Sequence, residues 1–154
     1  MTQKRFTMIV CGVELKSNEA IVCLLTLKDG VFSLPDCRST RVVLQSTTGS
    51  SALKHFQNTF AKLMEDYGVS RVVIRERPQK GKFAGSAVGF KCEAVLELLD
   101  GEEDLSVEVM TAAAIKAAIA EHPVPVKFSD TGLKVFQEVA FNTAYAALAA
   151  SELS

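Results

Sequence analysis

Apolar positions along the chain switch between two periods. Over residues 6–15 both alternating sets are apolar. Phe6, Met8, Val10 and Gly12 share one face, and Thr7, Ile9, Cys11 and Val13 the other. A strand covered on both sides is predicted there, central in its sheet. Lys16-Ser17-Asn18 turns the chain into a second strand over 20–27, and the pair reads as a hairpin. Lys28-Asp29-Gly30 is a further turn. Residues 31–34 and 41–45 are both strand material, broken by Pro35 and Asp36. They count as one third strand, with 41–45 its firmer part. A polar connection over 46–51 supplies N-cap candidates. The spacing then becomes helical: Leu53, Phe56, Phe60, Leu63, Met64 and Tyr67 form one stripe, closed by Gly68 at the C′ position.

Arg71-Val72-Val73-Ile74-Arg75 is short and β-branched, which suits a fourth strand. Pro78 donates nothing to a ladder, so that strand ends by Arg77. A helix is predicted from about 81 to 99, with Phe83, Ala87, Phe90, Ala94, Val95 and Leu98 inward. Residues 105–110 form a fifth strand. Thr111 caps an alanine-rich helix that stops at His122-Pro123. Ser129 and Asp130 offer a cap to a last helix over about 133–150. The order is β-β-β-α-β-α-β-α-α. An antiparallel meander followed by right-handed parallel crossovers gives an α/β protein: a mixed five-stranded sheet with helices on both faces.

The length of 154 residues is that of one domain spanning 1–154. With 48% hydrophobic and 23% charged residues the chain reads as soluble and globular. A net charge of −1 excludes a global field that would draw nucleic acid or an acidic membrane. Charge is local instead. Six basic residues fall between Arg71 and Lys91 with one acid, Glu76. Eight acids and one base, Lys116, follow between Glu93 and Glu121. The acidic run over 100–104 reads as a solvated face. Cys11, Cys23, Cys37 and Cys92 lack C-x-x-C spacing, and the two histidines are far apart, so no zinc pattern is present. Cys11 and Cys23 sit in apolar strand patterns, as small core residues do. Residues 1–13 lack the pattern of a signal peptide, and no stretch has membrane-spanning length. A reducing cytoplasm, of bacterial type, is the expectation.

Two acids end strands. Glu14 closes the first, in phase with Met8 and Val10. Glu76 closes the fourth, in phase with Val72 and Ile74. Strand ends are where open α/β sheets form ligand crevices. The plainer reading of both is ion pairing with Lys16, Arg75 or Arg77. Gly81, Gly85, Ser86 and Gly89 either let a helix pack closely or leave amides free for an anion, and close packing is the simpler account. Arg75, Arg77, Lys80, Lys82 and Lys91 beside these acids suit a phosphate backbone, against a merely solvated loop. Phe83 offers a stacking surface, but its phase with Ala87 and Phe90 argues for core. His55 is a surface or satisfied core histidine. No nucleophile elbow, phosphate-loop lysine or dinucleotide fingerprint occurs.

This arrangement resembles the ribonuclease H-like fold, and within it the RuvC-type resolvases. Their first strand ends in an Ile-Gly-Ile-Asp-like pattern, matched here by Cys11-Gly12-Val13-Glu14. Their fourth ends Ala-Ile-Glu, matched by Val73-Ile74-Arg75-Glu76. Their last helix carries two aspartates before an alanine-rich run, and here Asn142 leads Thr143-Ala144-Tyr145-Ala146-Ala147-Leu148. The chain also resembles a small bacterial family of uncharacterised proteins with this fold. Three departures stand out. Glu replaces Asp at 14, Glu76 falls one residue past the family position held by Arg75, and Asn142 stands where an acid is wanted.

The resemblance implies a nuclease acting on structured nucleic acid with Mg²⁺ or Mn²⁺. Glu14, Glu76 and Glu138 would be ligands, with Asn142 beside them. Two-metal phosphodiester cleavage needs carboxylates holding ions about 3.5 to 4 Å apart. Mg²⁺ takes octahedral oxygen ligation and one or two protein carboxylates, so an amide at 142 leaves one ion easier to hold than two. The alternative is a non-catalytic module for nucleic acid or a protein partner on the same scaffold. A homodimer through the glycine-alanine face of the 81–99 helix is a further expectation.

Overall fold

The computed structural model describes residues 8–46, 48–77 and 87–153. In chain order they form β1 Met8–Lys16, β2 Glu19–Lys28, β3 Val31–Ser33, β4 Arg41–Val43, α1 Ser50–Asp66, β5 Arg71–Arg75, α2 Ala87–Glu97, β6 Ser106–Met110, α3 Ala112–Glu121 and α4 Glu138–Leu148. The sheet runs β3-β2-β1-β5-β6, and β4 also pairs with β2. β1 and β2 are antiparallel, while β1, β5 and β6 are mutually parallel. This is the mixed sheet of the sequence reading, with β1 at its centre.

The expected third strand is two. β3 pairs with Thr26 to Lys28 at one end of β2, and β4 with Glu19 to Ile21 at the other. β2 has ten residues, so its edge has room for both. Pro35 takes the chain off the ladder between them. The β2–β3 turn carries Asp29 at φ 51° and Gly30 at φ 79°. Two consecutive positive φ values are the type I′ geometry that matches strand twist.

Each face of the sheet has its own core. On one, Cys11, Val13, Val72 and Ile74 meet Phe56, Phe60 and Met64 of α1 and Cys92 and Leu96 of α2. On the other, Val10, Ile21, Cys23 and Val73 meet Ala140, Ala144, Ala147 and Leu148 of α4. α4 lies against β1 because Gly12 has no side chain. A Cβ there would stand 2.0 Å from Ala140 O and 2.7 Å from Ala144 N. The helix runs opposite to β1. Near its start Gln137 donates to Val22 O at 2.9 Å, and beyond its end Arg71 Nη1 donates to Ser151 Oγ at 2.9 Å.

Caps follow the sequence in part. Thr111 Oγ1 accepts from Ala114 N at 3.0 Å, and Gly68 takes φ 65° after α1. α1 starts from Gly49 without a side-chain cap. α4 starts later than expected, after 3-10 turns at Phe128–Asp130 and Val135–Gln137, so Ser129 and Asp130 do not cap it. α2 turns a different stripe inward: Gly89, Cys92 and Leu96 are buried, whereas Ala87, Ala94 and Leu98 are exposed. Its glycine lies inside the fold, so the face proposed for close approach to a second copy is not the one that carries Gly89. Phe83, Gly81, Gly85 and Ser86 lie outside the described residues. No described helix is long and apolar enough to cross a membrane.

Candidate nucleic-acid interface

Strand phase decides which charged side chains meet. Even-numbered residues of β1 face α4, as Val10 and Gly12 show. Glu14 therefore belongs to the α4 face, half-buried at the strand's end. In β5 the α4 face is odd-numbered: Val73 packs there, while Val72 and Ile74 pack opposite. Glu76 continues the ladder one step, its N–H donating to Met110 O at 2.8 Å. Its parity puts it on the α2 face. The two acids expected to share a site thus leave the sheet on opposite sides.

The neighbour of Glu14 is Arg75. Val13 is in register with Ile74, and one further step sets Glu14 beside Arg75, a strand spacing of about 4.8 Å away. The same row extends through Ile21 to Arg41 on one side and from Arg75 to Met110 on the other. Arg41 is already engaged: it reaches Glu19 at 3.1 Å and lies over Phe136, 4.3 Å from the ring centre.

Arg77 joins the two faces. Its backbone N–H donates to Glu93 Oε2 at 3.2 Å. Its Nη1 donates to Leu15 O at the end of β1. The guanidinium crosses α2 at Gly89, where a Cβ would stand 2.5 Å from Arg77 Cζ. Its Nε is buried with no hydrogen-bond partner among the described residues.

Titration follows this layout. Burial pushes the Glu14 carboxyl above its ordinary value, and Lys16, Arg75 and Arg77 together only partly offset it. Burial also raises Glu93, opposed by the Arg77 hydrogen bond and reinforced by Glu97 and Glu76. Cys92 is raised by burial against the pull of Arg77. The charge of Glu76 is thus felt on α2.

The α4 candidates stand apart as well. Glu138 is exposed and Asn142 half-buried. They are one turn apart, on the side of the helix away from Ala140 and Ala144, which face Gly12. Lys91 is exposed on α2. Lys80 and Lys82 lie outside the described residues. Sequence reasoning named Arg75 both for phosphate contact and, with Lys16 and Arg77, as an ion-pairing candidate for Glu14; register sets Arg75 next to it. The signal was parity, and it becomes legible only once β1 and β5 are in register.

The six described strands, with a closing helix against the first, make a ribonuclease H-like fold, the fold of the solved resolvase structures. Thermus thermophilus RuvC superposes with a TM-score of 0.72 at 9% identity, covering 95% of this chain and 96% of that one. The same protein in complex with Holliday junction substrate gives 0.69 at 9% identity, with 96% of each chain covered. The yeast mitochondrial Holliday junction resolvase gives 0.55 at 9% identity, covering 91% and 75%. At such identity the likeness is one of fold. The chain belongs to the DUF3010 family, described as a protein of unknown function, whose model matches residues 8–147. No curated protein matches the sequence.

The resemblance implies a divalent metal, and the donors present do not fit one. Among the described residues no three His, Cys, Asp or Glu side chains gather closely enough to hold a metal ion. Glu14, Glu76 and Glu138 therefore make no such group. The charge balance explains why none is expected at Glu14. Two unit charges about 5 Å apart interact by roughly 3 kcal/mol at an effective dielectric of about 20. A divalent ion beside Glu14 would gain from one carboxylate and face Lys16, Arg75 and Arg77.

Proposed function

We propose that this chain engages structured nucleic acid at the rim formed by the ends of β1 and β5. The observation that carries the reading is the clustering of Lys16, Arg75 and Arg77 at that rim, in a fold whose full-length structural neighbours include a resolvase in complex with its Holliday junction substrate. Cations held on strand ends set a fixed spacing for backbone phosphates. In sequence, Lys80, Lys82 and Lys91 follow closely on Arg77 and supply further positive charge for a phosphate backbone. Fluorescence anisotropy with a four-way junction and a linear duplex of equal length tests the reading. Tighter binding to the junction, weakening steeply with salt, is expected; equal or no binding removes it.

A second reading is hydrolysis, favoured by Glu14, a half-buried carboxylate ending the central strand. Incubation of branched DNA and RNA–DNA hybrid with Mn²⁺ or Mg²⁺ decides it. Cleavage lost in Glu14→Gln supports it, and intact substrate discards it. A homodimer through α2 would use Ala87, Ala94 and Leu98, the last 71% exposed; a monomer mass in light scattering ends that idea. The four cysteines are free, which accords with residence in a reducing cytoplasm.

A further inference from the structure

The misfit between this rim and a metal centre has a positive content. We infer that the ends of β1 and β5 form a phosphate-binding site in which Arg75, Arg77 and Lys16 do without a divalent cation. The inference rests on the nucleic-acid reading and names the chemistry by which that site holds its ligand.

Three observations carry it. Register puts a guanidinium, Arg75, beside Glu14 on the neighbouring strand of the same face. A second guanidinium, Arg77, arrives from the α2 side and is fixed by Leu15 O and by the gap at Gly89. Its Nε is buried against α2 at Gly89, so Arg77 brings its charge to the rim in a fixed orientation. Lys16 stands exposed at the end of β1. Glu14 then has a role other than ligation. It is the half-buried anion on whose charge Lys16, Arg75 and Arg77 all act. Planar guanidinium groups suit two-point contact with phosphate oxygens, and Arg is always charged.

Around this group the other charged side chains are identified. Glu93 takes the Arg77 backbone N–H, Glu76 acts on Glu93, and Glu19 holds Arg41. None of these is in register with Arg75 on the α4 face.

The test measures binding of a fluorescent four-way junction in EDTA and in Mg²⁺, with melting in pyrophosphate alongside. Affinity within about twofold between EDTA and Mg²⁺ is expected. In Arg75→Gln affinity should fall, and the slope of log affinity against log salt should shrink by about one phosphate contact. Pyrophosphate should raise the melting temperature of the wild type and do so less in Arg75→Gln. Arg75→Glu supplies the opposite arm: two carboxylates on adjacent strands should make melting respond to Mn²⁺, which the wild type should not. Binding abolished by EDTA overturns the inference, as does a wild-type Mn²⁺ response lost in Glu14→Gln. If Arg75→Gln melts early, Arg75→Lys keeps the charge and loses the fork, and its affinity should lie between. The two readings fail separately. No junction binding with an intact pyrophosphate response removes the nucleic acid and keeps the anion site, whereas junction binding that needs Mg²⁺ does the reverse.

Discussion

The two faces of the sheet are packed by different means. The α1–α2 face is filled by bulk: Phe56, Phe60, Leu63 and Met64 stand fully buried against Val13, Val72 and Ile74. The α4 face is filled by approach, with Gly12 under Ala140 and Ala144 and backbone close to backbone. Each face also has a glycine where something crosses. At Gly12 the crossing group is helix backbone, and at Gly89 it is the guanidinium of Arg77. The difference teaches where the fold can yield. A flexible side chain can swing away, but a helix packed on a central strand cannot.

Four substitutions test that contrast, ordered by expected effect. Phe60→Ala empties the bulk-filled face and should cost about 3 to 5 kcal/mol, read from urea midpoints. Gly12→Ala pushes a methyl into Ala140 O and should cost up to about 3 kcal/mol, the upper part of the usual overpacking range. Gly89→Ala displaces only Arg77 while gaining helix propensity of about 1 kcal/mol relative to glycine, so its net change should stay within about 1 kcal/mol. A larger loss at Gly89 than at Gly12 would reverse the comparison. Glu14→Gln has the smallest effect, and pH reveals it. The folded carboxyl sits above its ordinary value of 4.5, so the folded state binds the proton more tightly. Stability from this group falls as pH rises through that window. The variant should melt higher than the wild type at pH 7 and gain nothing at pH 4. An equal shift at both pH values would show that the charge is not what matters.

The sequence disclosed most of the architecture because apolar periodicity reports burial directly. Val10 and Val13 predicted a strand covered on both faces, and the helical stripe from Leu53 to Tyr67 predicted α1. The α4 stripe was legible too, though its start was not, since the 3-10 turns before Glu138 carry no strong periodic signal. α2 misled by one stripe because Cys92 and Gly89, small residues, are the buried ones. The candidate site was half legible. Glu14 and Arg75 could each be named, but their adjacency depends on the register of β1 with β5, set by pairs such as Val13 with Ile74, 61 positions apart, which is a matter of pairing and not of local pattern. Glu76 looked equivalent to Glu14 because both end strands in phase with apolar residues. Which face each phase meant was fixed only by the helices packed there.

Gly12 has one more consequence, for the order of events in synthesis. The strand that bears it, Met8–Lys16, emerges before the helix that seats on it, Glu138–Leu148, with every other strand of the sheet made between them. Until that helix leaves the ribosome, a bare apolar trough runs down the middle of the sheet. Seating α4 on β1 joins segments far apart in sequence, and non-local contacts of that kind form slowly and leave apolar surface exposed meanwhile.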